Sequence, residues 1–294
     1  MKKNNSRKNR LRLSYRARSA VTGSMFFLPW LVGFAAVTAY PLIYSIVICF
    51  NQVQIKPGKI ELARIGWEYF RQALAVDTEY PTKLISSICN VLMETPLVVV
   101  FSLVIALLLN RKFRGRTVYR IVFFLPVVIM SGPVMSELMS ESSAMSINFD
   151  IMGLQSLLME LDNRWAGILL TFLNSFVRIL WFCGVQIIVF LAGLQKIDRN
   201  MYEAAAIDGA TAWAAFWKIT LPHMRPIIML NTIYTIVELG TAADDATNIK
   251  IVGAVRDIAR PYSYAAALSW IYASCLLLLI LIAFLLLKPR KGSE

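Results

Sequence analysis

The chain has 294 residues, of which 57% are hydrophobic and only 16% are charged, and its mean hydropathy is +0.60. This balance excludes an ordinary soluble domain and indicates a membrane protein. A formal net charge of +12 would suit nucleic-acid binding, but the basic residues cluster in the segments that connect long apolar stretches, which is typical of membrane topology instead.

Six apolar stretches are long enough to cross a bilayer, which takes about 20 residues. We therefore predict an all-α, polytopic membrane protein. Its six spans cover about 21–50, 84–110, 118–140, 166–195, 223–243 and 262–287. Residues 1–20 form a basic N-terminal tail and residues 288–294 a short C-terminal tail. The first span exceeds the about 7–15 apolar residues of a signal-peptide core, so we interpret it as an anchor that is not cleaved.

The distribution of lysine and arginine predicts the orientation of the chain. With the N-terminus in the cytoplasm, 20 of the 30 basic residues lie on the cytoplasmic side, nine lie in outer loops, and Arg178 lies within a span. This bias follows the positive-inside rule. We therefore predict that both termini are cytoplasmic and that nucleic acid is not a partner.

The loops outside the spans predict little independent structure. Between the first two spans, the helical spacing of Ile65, Tyr69 and Ala73 indicates a short outer helix lying on the membrane. A tight cytoplasmic turn around Gly115 joins the second and third spans. Residues 141–165 and 241–261 are polar enough for outer loops of mixed structure.

Side chains that enzymes and metal sites require are scarce. His223 is the only histidine, which excludes two-histidine metal motifs, and no GxSxG nucleophile elbow or P-loop occurs. The four cysteines lie in apolar runs without CxxC spacing, so we interpret them as buried small hydrophobic residues rather than disulfides or metal ligands. We therefore predict that the chain is not an enzyme and binds no metal or cofactor itself.

A polar tract, EAAAIDGATAWAAFWKITLP, runs from Glu203 to Pro222 between two apolar spans. Asn200 and Glu203 have capping-box spacing, which predicts a helix that begins at about Met201. Gly209 then ends or bends this helix, since glycine adopts a left-handed turn at little cost.

A second helical turn follows the glycine, from Ala212 to Trp217. Pro222 is expected to prevent this helix from continuing smoothly into the fifth span. Trp213, Phe216 and Trp217 either lie in the bilayer interface or anchor the elbow to the bundle. From spacing alone, the tract is equally consistent with an ordinary amphipathic loop helix.

The same tract fits the pattern EAA, three residues, glycine, nine residues, then I-x-L-P, without a mismatch. It resembles the permease subunits of binding-protein-dependent ABC importers. The flanking LAGLQKIDRNMY, together with FRGRTVYRIVFFLP and GWEYFRQAL, resembles the carbohydrate-importing branch, so the similarity covers most of residues 66–226. The residues that the resemblance assigns to ATPase coupling are Glu203, Ala204, Ala205, Asp208, Gly209, Ile219, Leu221 and Pro222.

This resemblance implies the type I ABC importer permease fold, with residues 196–222 as the coupling loop. It implies an importer that works by alternating access in a bacterial cytoplasmic membrane. A separate pair of ATPase subunits would bind ATP and Mg, an extracytoplasmic solute-binding protein would deliver the cargo, and a second related permease would complete the pore. The favoured cargo is a sugar or oligosaccharide, and the alternatives are glycerol phosphates or another polar nutrient. The short basic C-terminus favours the first-permease type.

The sequence departs from the family pattern at two places. Ile197 and Asp198 stand where many relatives have isoleucine and proline, and Asp198 could cap the coupling helix instead. The outer segment TAADDATNIK lacks the turn rich in glycine and proline that is common in sugar permeases at this position.

Polar residues within the spans are further candidates, because a charge at the membrane centre costs about 2.5–3.5 kcal/mol. They either line a sugar path or pair within or between subunits and stabilise the bundle, and we favour pairing. The tentative path residues are Glu94, Asn174, Arg178, Gln186, Asn231 and Glu238. We interpret Trp181 and Trp270 as packing or interface residues rather than as sugar-stacking rings.

Two rival classes of function remain, and the first of them would also have six spans. A passive channel or a secondary transporter for a small polar solute would need no elbowed docking loop. An integral membrane enzyme is disfavoured because nucleophile and metal patterns are missing.

Overall fold

The computed structural model describes residues 15–56, 59–111, 163–257 and 261–288, together with Gly115, Val118 and Ile121. Side chains are described in these ranges except at 15–23, 54–62 and 163–177. The described chain is mainly helical and divides into two compact units. The first contains Met1–Val76 and Ala254–Trp270, and the second contains Asp77–Gly253 and Ile271–Glu294.

The first unit begins with a long apolar helix interrupted by a wide turn. Helix α1 (Tyr15–Phe34) passes through a π-helical turn (Ala35–Ala39) into helix α2 (Tyr40–Cys49), whose second residue is Pro41. A proline ring clashes with the carbonyl four residues earlier, so a widened turn that contains this carbonyl lets the helix continue.

A β-hairpin follows helix α2, and the sequence analysis did not predict it. Strands β1 (Asn51–Lys56) and β2 (Lys59–Arg64) pair in antiparallel register, with Val53 opposite Leu62. The sequence does carry a pattern typical of a hairpin, because a proline and a glycine separate two segments of alternating polarity. The amide of Val53 also donates to the hydroxyl of Ser263, 3.2 Å away.

The predicted outer helix is present in the first unit. Helix α3 (Glu68–Arg71) is extended by a π-helical turn (Gln72–Val76). Tyr69 and Ala73 are buried, as their spacing indicates, whereas Trp67 is 70% exposed. Its position on the membrane stays a prediction.

Long helices that pack on one another form the second unit. In chain order, the remaining helices are α4 (Glu79–Asn110), α5 (Asn163–Leu194), α6 (Arg199–Ile207), α7 (Ala212–Ala215), α8 (Leu221–Gly240), α9 (Ala246–Arg256) and α10 (Tyr262–Leu287). Val98, Phe190 and Leu239 are buried at the centre of this unit. Since lipid tails are as apolar as these side chains, van der Waals packing is what stabilises the contact.

Helix α9 lies in the segment expected to be an outer loop of mixed structure. The Lys250 ammonium pairs with the Glu79 carboxylate at the start of α4. The side-chain amide of Asn248 donates to the carbonyls of Gly240 and Ala242, at 2.9 and 2.8 Å. The bond to Gly240 satisfies a carbonyl group that the end of helix α8 would otherwise leave unpaired.

The four cysteines are free and differ in exposure. Cys49 and Cys183 are buried and Cys275 is half-buried, whereas Cys89 is exposed. The prediction of burial is therefore wrong for Cys89. Its helix, α4, is long and apolar enough to face lipid, where a small hydrophobic side chain needs no protein cover.

By length and composition, three segments in the described ranges could each cross a membrane: Ser24–Cys49, Glu79–Asn110 and Tyr262–Leu287. A fourth is counted if Arg178–Leu194 and helix α6 form one span bent by 64°. Helix α8 ends at Gly240, before the predicted end of the fifth span. The third predicted span, 118–140, lies outside the described residues apart from two isolated positions.

Candidate functional site

The polar tract between helices α5 and α8 forms two short helices joined by an elbow. Helix α6 bends away from α5 by 64° and has no buried residue. Gly209 has a φ of 76°, in the left-handed region that glycine adopts at little cost. The amide of Ala210 donates to the carbonyl of Ala205 at 2.8 Å and so closes the end of the helix. The elbow is therefore where the sequence predicts it.

The start of helix α6 differs from the prediction. The carboxylate of Asp198 accepts a hydrogen bond from the amide of Asn200 at 3.0 Å, so Asp198 caps a helix that begins at Arg199. The predicted cap at Asn200, with a start at about Met201, is wrong, and the alternative that Asp198 caps the helix is confirmed. Asp198 has the extended backbone that an N-cap requires, whereas Asn200 already lies in the first turn.

The second short helix runs directly into helix α8. Thr211 caps helix α7, and a π-helical turn (Phe216–Thr220) connects α7 to α8 without a break. The prediction that Pro222 interrupts the helix is therefore wrong. The wide turn ends two residues before Pro222, as another does before Pro41, so it contains the carbonyl four residues earlier with which the ring would clash.

One contact joins helix α6 to the turn before α8, and another packs α5 closely on α8. The hydroxyl groups of Tyr202 and Thr220 lie 2.8 Å apart, which connects helix α6 to the turn preceding α8. Gly193 near the end of α5 is so close to α8 that an added Cβ would lie 2.2 Å from Cδ1 of Ile227. Helix α6 is therefore bonded to the turn that leads into α8, and α8 in turn packs closely on the end of α5.

The coupling residues that the resemblance assigns fall into two groups by exposure. Glu203, Ala204, Asp208 and Gly209 are exposed, while the others are half-buried. The half-buried residues are Ala205, Ile219, Leu221 and Pro222. The exposed group forms a face of small and acidic side chains, and three of the half-buried group lie where the tract joins α8.

Three aromatic side chains of the tract contact one another. The ring centroids of Trp213 and Trp217 lie 5.6 Å apart, and Phe216 stacks within 6.2 Å of Trp213. Trp213 is 70% exposed and Trp217 is 49% exposed. This exposure favours the bilayer interface over an anchor in the bundle.

Among the described residues of the spans, Arg178 and Glu94 form an ion pair within the chain. Arg178 on helix α5 lies 3.3 Å from the Glu94 carboxylate on α4 and 3.2 Å from the Asp244 carboxylate after α8. All three side chains remain about a quarter to a third exposed. The sequence analysis missed Asp244, although TAADDATNIK displays its acidic pair.

A second polar cluster connects helices α5 and α8. The side-chain amide of Gln186 donates to the Glu238 carboxylate at 2.6 Å and to the Thr235 hydroxyl at 3.1 Å. The amide of Asn231 donates to the backbone carbonyl of Gln186 at 3.2 Å. Asn174 lies on α5, but its side chain is outside the described part of the structure. These contacts favour pairing for the five candidates whose side chains are described.

Comparison with known proteins identifies the family. Residues 79–288 match the family described as binding-protein-dependent transport system inner membrane component. The chain belongs to this family. The prediction of a permease of this type from the EAA tract is thereby confirmed.

Two bacterial permeases illustrate the sequence similarity. The chain is 29% identical over 218 residues to the probable ABC transporter permease protein YesP of Bacillus subtilis, covering 72% of this chain and 68% of that one. It is 24% identical over 301 residues to the lactose transport system permease protein LacF of Rhizobium radiobacter, covering 92% and 95%.

Further similarities extend to an oligosaccharide permease and to a solved structure. The arabinooligosaccharides transport system permease protein AraP of Halalkalibacterium halodurans is 29% identical over 215 residues, which cover 71% of this chain and 65% of AraP. A crystal structure of a bacterial ABC transporter involved in the import of the acidic polysaccharide alginate matches with a TM-score of 0.59 and 21% identity, covering 94% and 97%. This likeness confirms the type I importer permease fold.

Proposed function

We propose that this chain is the transmembrane permease subunit of an ATP-driven importer for a sugar or oligosaccharide. The names of its relatives support a saccharide cargo, since LacF belongs to a lactose transport system and AraP to an arabinooligosaccharide transport system. The importer resides in a bacterial cytoplasmic membrane, with both termini of this chain in the cytoplasm.

The observation that carries the coupling part of the proposal is the exposed helix α6 bonded to the start of helix α8 through Tyr202 and Thr220. Two partner ATPase subunits bind ATP and Mg, draw together and carry the coupling loop with them. Helix α6 then moves as a rigid body, and its contacts pass the motion to α5 and α8. The cavity shared with a second related permease alternates between inward-open and outward-open states. An extracytoplasmic binding protein delivers the cargo.

The polar clusters act mainly as the frame of the pathway. Glu94, Arg178, Gln186, Asn231 and Glu238 form ion pairs or hydrogen bonds within the chain. Asn174, also on helix α5, is a further candidate path residue. With Asp244, the clusters hold three carboxyl groups and one guanidinium, a formal charge of −2 when all are ionised. This charge supports an uncharged saccharide over an acidic one.

Reconstitution tests the proposal against a passive channel or a secondary transporter. Vesicles would contain this chain, its partner permease and the two ATPases, with the binding protein outside. We expect uptake of radiolabelled saccharide only when ATP is enclosed with the ATPases. Uptake by this chain in vesicles that lack ATP would support the channel or secondary transporter and contradict the proposal.

A further inference from the structure

A groove with a volume of about 400 Å³ lies between helices α4, α8 and α10 of the second unit. Val99 on α4, Ile236 on α8 and Leu286 on α10 are among the residues that line it. This volume falls in the range of about 300–1,000 Å³ that small-molecule sites occupy.

The lining side chains of the groove have no hydroxyl proton free to bind an occupant. Thr95 and Thr232 are the residues in its lining that carry a hydroxyl group. Each hydroxyl donates to the backbone carbonyl four residues earlier, Thr95 to Val91 at 2.6 Å and Thr232 to Ile228 at 2.8 Å. A saccharide would lose its hydrogen bonds to water here without replacement, so the groove suits a purely apolar group.

The groove lies where hydrocarbon is the surrounding solvent. Helices α4 and α10 both have the length and hydropathy of membrane spans. Several lining side chains are exposed, including Leu92, Val100 and Leu286, so the groove opens sideways from the protein. In a bilayer, acyl chains are the apolar groups that face such an opening.

Two basic residues lie near one end of the groove. Lys288 directly follows the lining residue Leu287, and Arg225 lies one helical turn before the lining residue Ile228. Both basic residues are exposed, and both lie at the end that the positive-inside rule places in the cytoplasm. We propose that the groove holds an acyl chain of a bilayer phospholipid whose phosphate lies beside Lys288 and Arg225.

Native mass spectrometry of the complete purified transporter tests this proposal. After delipidation, phosphatidylglycerol or phosphatidylcholine is added and the bound molecules are counted. Ala283→Phe fills the groove and should remove one bound phospholipid per copy of this chain. Leu285→Phe, at an exposed neighbour that does not line the groove, is the matched control and should remove none. Lys288→Gln should lower the preference for phosphatidylglycerol over phosphatidylcholine several-fold.

A second measurement uses the unaltered protein and so does not depend on the folding of a variant. Vesicles of phosphatidylglycerol whose acyl chains carry a photoreactive group are illuminated, and the labelled peptides are mapped. Labels concentrated at 91–100, 228–236 and 279–287 support the proposal. An unchanged lipid count in Ala283→Phe would overturn it. Photolabelling spread evenly over the other exposed spans would overturn it as well, as would these segments cross-linking to the partner permease instead of lipid.

Discussion

Gly209 has a left-handed backbone conformation and lies on the exposed surface that we propose for coupling. An added Cβ would meet nothing within 4 Å, so a side chain here suffers backbone strain rather than a clash within the chain. The left-handed conformation costs an ordinary residue about 1–2 kcal/mol, whereas asparagine visits it routinely. Substitutions at Gly209 can therefore distinguish the effect of backbone strain from the effect of a bulky side chain on the surface.

We expect Gly209→Asn to retain most ATP-driven uptake and Gly209→Arg to lose it, because the arginine places bulk and charge on the exposed docking face. Membrane abundance should stay normal in both variants. Uptake into vesicles, normalised to abundance by quantitative immunoblot, measures the effect. Gly253→Arg, at an exposed glycine with open space around it, is the control. Normal uptake by Gly209→Arg at normal abundance would count against the docking face.

Arg178 is the residue on which the first polar cluster depends. Arg178→Gln leaves the carboxylates of Glu94 and Asp244 without a cation. Breaking a fully buried pair costs about 3–5 kcal/mol. Since these side chains are about a quarter to a third exposed, we expect a smaller loss, on the order of 1–3 kcal/mol. The thermal unfolding midpoint of the complex in detergent should fall accordingly.

Removing the two charges that Arg178 neutralises should restore stability. The triple variant Arg178→Gln, Glu94→Gln, Asp244→Asn replaces the ion pairs with neutral amides of similar shape. Its unfolding midpoint should rise well above that of Arg178→Gln alone. Equal midpoints for the single and triple variants would contradict the pairing that the geometry indicates.

At the scale of elements, the connection between helices α6 and α8 carries the proposed motion. Tyr202→Phe deletes the hydroxyl that lies 2.8 Å from the hydroxyl of Thr220. A hydrogen bond of this kind contributes about 0.5–1.5 kcal/mol, so transport per ATP hydrolysed should fall several-fold while abundance stays normal. Tyr40→Phe, at an exposed tyrosine on helix α2, provides the control. An unchanged transport-to-hydrolysis ratio in Tyr202→Phe would exclude this contact as a link.

The sequence predicted the long apolar helices that the structure describes and the elbow, because apolar length and Gly209 are local signals, but it did not predict helix α9. It misplaced the helix start, since Asp198 and Asn200 are both good capping residues and only the backbone conformation decides between them. It also misread Pro222. A π-helical turn has no clear sequence signature, although two of these turns end two residues before a proline.

The polar clusters could be predicted only in part from the sequence. Glu94, Arg178 and Glu238 stand out in the sequence because a charge in an apolar run is costly. Asp244 belongs to the first cluster only through packing, since it follows the end of helix α8 and meets α4 and α5 from there. No local pattern indicates such a long-range contact.

At the scale of the whole molecule, the proposal of a driven transporter rests on the exposed helix α6 and its bond to the turn before α8. Helix α6 has no buried residue, yet it is bonded to the turn that precedes helix α8. A chain that worked alone would not need such a helix. We therefore propose that a partner moves the short helix. The family and fold agree with that proposal, because the chain belongs to the inner membrane components of binding-protein-dependent transport systems.

Site-directed cross-linking in the assembled transporter tests this central claim most directly. A cysteine replaces Ile207, which is 86% exposed on helix α6, in a chain whose exposed Cys89 is changed to alanine. We predict that oxidation joins Ile207→Cys to single cysteines placed around the surface of the ATPase subunit and stops uptake, and that reduction restores it. Gly253→Cys on helix α9 should form no such bond. A transporter that imports its cargo normally while no ATPase cysteine reaches Ile207→Cys would contradict the account.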